Sequence, residues 1–267
     1  MVNSKIPVGI LGATGVVGQR FIQLLENHPW FEVSWLAASE RSEGKPYAEA
    51  ASWRLATPVP ERIAKMQVSP AKPDGAPKVI FAALDSGIAK ALEPLFAEAG
   101  CAVVSNSTSC GLMLKREARE ILEVEDEDLT VVSEAMYDLC EFLLLLHERG
   151  ELRTDFKPLE LTVPYHAPCQ QQGHGIGKPA LDLFALIPGL RAIELDATCC
   201  GISGTYGFKK EKYEIGMTVG ERLFGELRES NGDLAACDSE TCRWQIAKAT
   251  DRPAVHPIDL LHRAYGL

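Results

Sequence analysis

The stretch VGILGATGVVGQRF, Val8 to Phe21, decides how the first part of the chain folds. Four apolar residues, Val8 to Leu11, read as a strand that runs into Gly12, Gly15 and Gly18, spaced by three. From Val16 the apolar positions Val17, Phe21, Leu24 and Leu25 recur at helical spacing until Asn27-His28-Pro29 stops them. Glycines between a strand and a helix permit positive φ. They let the backbone approach a pyrophosphate, whose charge then rests on the helix N-terminus. Outward from this motif the alternation continues: strands Phe31 to Ala37, Val79 to Ala83 and Cys101 to Ser105, a helix Ile88 to Ala99, and a proline-bearing stretch 40 to 77 read as loop with a short strand near Met66 to Ser69. The expected architecture is α/β, beginning with a Rossmann-like parallel sheet. After the second strand, Ser39, Arg41 and Ser42 stand where an adenosine ribose is met. Hydroxyls with a guanidinium suit a 2′-phosphate, so NADP is expected over NAD, with Glu40 as the group that would favour NAD.

The 267 residues amount to just under two domains at roughly 150 residues each. The net charge of -10 argues against a nucleic-acid partner, because neutralising phosphates needs a basic surface. Glu123 to Asp128 reads as a solvated acidic loop. The longest aliphatic or aromatic run, Phe142 to Leu146, falls far short of the roughly 20 residues that span a bilayer, and the start lacks a secretory layout. A cytoplasmic address is expected. Eight cysteines in a reducing compartment point to ligands, nucleophiles or buried apolar residues rather than disulfides.

Alternation restarts in the second half. Helices are expected at Leu112 to Leu122 and Glu134 to Arg149. Four strands each followed by a helix then make a second parallel sheet: Glu160 to Tyr165, Arg191 to Asp196, Asp233 to Ala236 and Pro253 to Val255. Three of these strands run out into "HAPC", "ATCCG" and "CDSETC". Strand C-termini of a parallel sheet share one edge, so Cys169, Cys199, Cys200, Cys237 and Cys242 are expected to converge as a soft-metal or iron-sulfur site, with zinc as the alternative ion. Cys101 and Cys140 read as buried apolar residues. His166, His174 and His256 lie near the same edge, as ligands, proton carriers or plain satisfied histidines. Gly201, Gly204 and Gly207 either admit close backbone approach or form an ordinary loop.

Two resemblances follow from these motifs. "LGATGVVGQRFIQLLENHPWFEVSWLAASERSEGKPY", "VIFAALDS" and "AEAGCAVVSN" resemble the NADP-binding half of aspartate-semialdehyde dehydrogenase of the archaeal and fungal type, over about residues 5 to 106. The resemblance implies that Gly12, Thr14, Gly15 and Val17, with Gly18, line the phosphates, that Ser39, Arg41 and Ser42 take the 2′-phosphate, and that Ser86 and Asn106 lie near the nicotinamide. That family acts through a cysteine following an asparagine, and no cysteine here does so.

"YHAPCQ", "DATCCGISGTYGFKKEKYEIGMTVGE" and "CRWQIAKATDRPAVHPIDLL" resemble the cysteine-rich CCG domain of heterodisulfide reductase and, more closely, that of the iron-sulfur subunit of anaerobic glycerol-3-phosphate dehydrogenase, over about residues 107 to 267. This implies Cys169, Cys199, Cys200 and Cys242 as ligands. Ser239 stands where the family closes with a cysteine, and Cys237 lies two residues earlier. Only the tail of a first such domain, "SCGLMLK", is matched, so Cys110 is expected to lack partners. The expectation is a chimera of domains 1-106 and 107-267. As an electron-transfer module it implies a redox partner subunit or carrier, with peripheral association to a membrane complex possible. The alternatives are a residual semialdehyde dehydrogenase using Cys110 or Cys169, and a non-catalytic nucleotide- or zinc-binding protein.

Overall fold

The computed structural model describes residues 5–28 and 30–267. The chain divides into two compact units, 1–102 and 103–267, the first with one parallel sheet and the second with two among the described residues. The first unit is built on β1 (Ile6–Leu11), flanked by β2 (Phe31–Ala37) and β3 (Val79–Ala82), in the order β2-β1-β3 with all pairings parallel. Its helices are α1 (Val16–Leu25), two single turns α2 (Tyr47–Ala50) and α3 (Glu61–Ala64), and α4 (Ser86–Glu98). The stretch expected as loop thus holds two helical turns. It is pinned by isolated bridges Ala37↔Ser69 and Pro46↔Gln67.

The face that α1 buries differs from the expected one. Val17 is 59% and Leu24 57% exposed, whereas Gly18, Gln19, Ile22 and Leu25 are buried. The reason is steric. A Cβ at Gly18 would lie 2.4 Å from Gly12 O and 2.7 Å from Ala13 Cα, so glycine lets this side of the helix press on the turn that precedes it. Gln19 fills the next position with a full set of bonds, donating to Thr14 O and Ser52 O and accepting from Arg54 N. Tyr47 Oη donates to Ala13 O (2.9 Å), tying the long loop to the glycine turn from inside.

The second unit opens with β4 (Val103–Ser105), which pairs in parallel with β5 (Met136–Asp138). The strand read at Cys101 to Ser105 therefore joins this unit and not the first sheet. Between the two strands run α5 (Thr108–Leu112), a π-helical turn at Met113–Glu117, α6 (Ala118–Glu120) and α7 (Glu127–Ala135), so the acidic run is loop only up to its Asp126 cap. The helix expected over Glu134 to Arg149 is interrupted by β5 and resumes as α8 (Leu139–Glu148). Its start is fixed by a capping box between Asp138 and Glu141.

The main sheet has the order β7-β6-β8-β9, all parallel: β6 (Thr162–His166), β7 (Arg191–Glu194), β8 (Ala235–Cys237) and β9 (Ala254–Val255). Around it lie α9 (Cys169–Gly173), α10 (Pro179–Ala185), α11 (Tyr213–Glu229), α12 (Glu240–Thr250) and α13 (Pro257–Ala264). Val163, Tyr165, Leu183, Phe184 and Leu260 are wholly buried on one side of the sheet. Leu223, Phe224, Leu227 and Ile246 are wholly buried on the other, and each such side chain contributes about 1.5–3 kcal/mol. This second core includes Cys200, Cys237 and Cys242, so the cysteine edge is continuous with packed apolar side chains.

Candidate functional site

At the carboxyl edge of the first sheet, Gly12 takes φ +82°, and a Cβ there would meet Ala83 O at 2.4 Å. Gly15 and Gly18 do not need positive φ. Gly15 is the N-cap of α1 in extended conformation, with no side-chain cap, which leaves the first turn of a ten-residue helix open to an anion. Gly15 and Val17 are exposed and Thr14 half-buried around that opening. Gly12 N and Ala13 N both donate to Ala37 O, so the glycine turn is bonded to the end of β2, where the next candidate residues begin. There Ser39 and Arg41 are exposed, while Ser42 is buried in a turn whose N–H donates to Ser39 O (2.8 Å). Arg41 makes no ion pair among the described residues. Ser86 begins α4 after the Asp85 cap; its side chain lies outside the described residues. Asn106 follows β4 and belongs to the second unit.

In the second unit the five cysteines separate by depth. Cys200, Cys237 and Cys242 are buried, Cys199 is half-buried and Cys169 is exposed. Cys200 Sγ donates to Cys242 Sγ at 2.9 Å. One donor atom each from His166, Cys237 and Cys242 lies within 4.8 Å of the others. Four different pieces of chain supply this group: the last residue of β6, the loop after β7, the last residue of β8 and the first turn of α12. The loop after β7 is held by close backbone packing. Gly201 takes φ +84°, and a Cβ on it would stand 1.9 Å from Gly216 O. A Cβ on Gly220 would stand 2.4 Å from Cys200 O, and Gln245 Nε2 donates to that same carbonyl. Gly204 has φ +60° with open space around it, and Gly207 packs on Ile202.

The hydrogen bond to Cys242 and burial push the Cys200 thiol far above its ordinary value. Cys242 is pulled down by Cys200, but contact with Cys237 and burial more than offset this and leave it raised. Burial and the neighbouring Cys199 and Cys200 raise Cys169. These thiols are protonated without a metal, so binding one releases protons.

The three histidines turn out to be unlike. His256 Nδ1 accepts from Ile258 N and caps α13 in a capping box with Asp259. His174 Nε2 sits 3.0 Å from Thr108 O, with Nδ1 unpartnered. His166 is 1% exposed and neither ring nitrogen makes a hydrogen bond of good geometry, the Ala197 backbone being the polar group that interacts with the ring. Burial holds it neutral, with its pKa down to about 4. A soft-metal or iron-sulfur group fits this donor set, since buried thiols beside an imidazole with a free lone pair are what such a group binds.

Sequence reading missed an acidic group beside the thiols. Asp238, wholly buried, accepts from Tyr165 Oη (2.6 Å) and from Cys140 Sγ (3.5 Å), while Asp138 Oδ1 accepts from Cys140 N. Cys140 is buried as expected, and Cys101 is half-buried. The Asp-x-x-Glu spacing at 138 to 141 was the available signal for Asp138; nothing in the sequence marks Asp238.

Comparison with known proteins separates the halves. The family described as semialdehyde dehydrogenase, NAD binding domain, matches residues 7–129, and the cysteine-rich domain family CCG matches residues 163–247. The chain joins these two domain types. The C subunit of anaerobic glycerol-3-phosphate dehydrogenase from Escherichia coli K12 is 40% identical over 168 residues, covering 62% of this chain and 41% of that protein. Aspartate-semialdehyde dehydrogenase of Archaeoglobus fulgidus is 48% identical over 106 residues, covering 39% of this chain and 31% of that protein. The crystal structure of aspartate semialdehyde dehydrogenase with NADP from Candida albicans aligns at 31% identity over 60% of this chain and 50% of that one, with a TM-score of 0.38. The chain spans less than half the length of these curated relatives. Among its described residues no helix is long and apolar enough to cross a membrane.

Proposed function

We propose that the chain is a redox module, in which the semialdehyde dehydrogenase-type domain binds NADP and the cysteine-rich domain holds an iron-sulfur cluster that carries electrons. The observation that carries this reading is the gathering of Cys200, Cys237, Cys242 and the buried His166 at one sheet edge. Cys199 and Cys169 stand at its rim. When both groups are bound, the chemistry available is two-electron hydride transfer on one side and one-electron transfer on the other, so the reading requires a partner subunit that carries a flavin or another two-to-one converter. A reducing, cytoplasmic setting suits a chain whose eight cysteines are all free, and docking to a membrane complex would pass through that partner.

A residual semialdehyde dehydrogenase working through Cys169, one of its two candidate nucleophiles, is disfavoured by the chemistry of that thiol. The thiol is raised by burial and by neighbouring thiols, the reverse of what a nucleophile requires.

Purified without oxygen and supplied with iron and sulfide, the protein is expected to turn brown and hold about four irons and four sulfides per chain. A colourless protein with one zinc per chain would overturn the cluster reading in favour of a structural ion. The nucleotide half has its own test. Arg41→Ala is expected to weaken NADPH binding about tenfold or more, read by nicotinamide fluorescence, because a charge-assisted contact to phosphate is worth about 1.5–3 kcal/mol. NADH binding should be nearly unchanged. Equal loss for both nucleotides would remove Arg41 from the 2′-phosphate.

A further inference from the structure

We infer that His166 is itself a metal ligand of the thiolate edge, and that together with Cys237 it makes good the donor that Ser239 does not supply. The inference rests on the reading that this edge holds a metal centre, and it concerns which residues bind rather than which metal.

Three independent features lead there. First, β6 and β8 run parallel with His166 and Cys237 as register partners at their last residues, so the two side chains leave the sheet on the same side. Second, the imidazole is buried and neither nitrogen makes a hydrogen bond of good geometry; the Ala197 backbone can serve one of them, which leaves the other free, and an unmade hydrogen bond of a buried polar group costs about 1–3 kcal/mol. His256 and His174, at the same edge, each have a backbone partner for one nitrogen. Of these three, His166 alone makes no hydrogen bond of good geometry at either nitrogen, although the Ala197 backbone interacts with the ring, and one of its nitrogens lies within 4.8 Å of the thiols of Cys237 and Cys242. Third, Ser239 is committed elsewhere. Its Oγ caps α12, accepting from Cys242 N at 3.4 Å, and lies 3.3 Å from Thr241 Oγ1.

A ligating histidine needs one nitrogen for the metal and a fixed ring. Here the ring is held by burial at a strand end, with the Ala197 backbone carbonyl as the group available to its second nitrogen. Histidine in place of thiolate also lowers the negative charge of the ligand set. At an iron-sulfur centre such replacement accompanies a higher reduction potential.

Cobalt(II) is a suitable probe because its high-spin form is paramagnetic and stays divalent under the reducing conditions that keep the thiols free. The full reduced chain, grown with ¹⁵N-histidine, would be titrated with cobalt(II) and examined by pulsed EPR for coupling to a ligand nitrogen. The wild type is expected to show one strongly coupled histidine nitrogen. His166→Cys should keep cobalt binding and lose that coupling. His166→Ala should weaken cobalt binding at least tenfold, with circular dichroism reporting whether the fold persists. His174→Gln should leave the coupling in place. Coupling that survives in His166→Cys, or cobalt bound by the wild type without any nitrogen coupling, overturns the assignment of His166. A wild-type chain that binds neither cobalt nor iron removes the metal reading of the edge and this inference with it. Iron uptake without nitrogen coupling would spare the proposed function and defeat only the inference.

Discussion

Gly201→Ala is expected to destabilise the second unit by more than about 4 kcal/mol and to leave it largely unfolded at 37 °C. Two costs add. The residue sits at φ +84°, a region that costs a side-chain-bearing residue about 1–3 kcal/mol. The larger cost is the added methyl itself. It would be placed 1.9 Å from Gly216 O and 2.9 Å from Gly216 C and Gly220 N, all of them helix backbone with no flexible end to move aside. Relief requires separating the loop from α11, which would open the packing of Leu223, Phe224 and Leu227 and displace Cys199 and Cys200 together. Gly204→Ala, three residues along, provides the contrast. It also has positive φ but no atom within 4 Å, so only the backbone penalty of about 1–2 kcal/mol is expected. Urea unfolding followed by circular dichroism would compare the two; similar midpoints would mean that the loop is not seated on α11 as described.

How far this arrangement could be read from the sequence depended on how local its causes are. The glycine turn was legible because strand, turn and helix follow one another within a dozen residues. The buried face of α1 was not, because Gly18 and Gln19 carry no apolar signal, yet one is buried for its small size and the other for its three hydrogen bonds. β5 stayed hidden inside an apolar run. Only the capping box at Asp138 and Glu141 marks where α8 begins. The approach of Cys200, Cys237 and Cys242 follows from parallel topology, whereas the depth of the five cysteines does not: Cys169 and Cys237 look equivalent as strand-end residues, and one is exposed while the other is wholly buried. Asp238 could not be anticipated at all, since its partners Tyr165 and Cys140 are 73 and 98 residues away.

The same buried groups set opposing pH dependences in the metal-free chain, and single substitutions separate them. Burial lowers His166 and His256 from an ordinary 6.5 to about 4, so between those values an unfolded chain binds protons that the native one does not. Stability therefore falls as pH drops through that window, by roughly 3 kcal/mol for each histidine. Arg243 adds to the lowering of His256, while Asp259 and Glu240 resist it. Asp238 acts in the other direction. Burial raises it from 3.8 to about 6, so the native state takes up the extra proton first and gains roughly 3 kcal/mol as pH falls over the same range. Asp138 and Glu93, also raised by burial, act in the same direction as Asp238. His256→Asn, which keeps an N-cap side chain on α13, is expected to lessen the acid loss by roughly 3 kcal/mol, and Asp238→Asn to deepen it by roughly 3 kcal/mol. Urea midpoints at pH 7 and pH 4.5, taken with reductant and chelator, measure both. A His256→Asn protein that loses as much stability in acid as the wild type would show that this histidine is not held neutral by its burial.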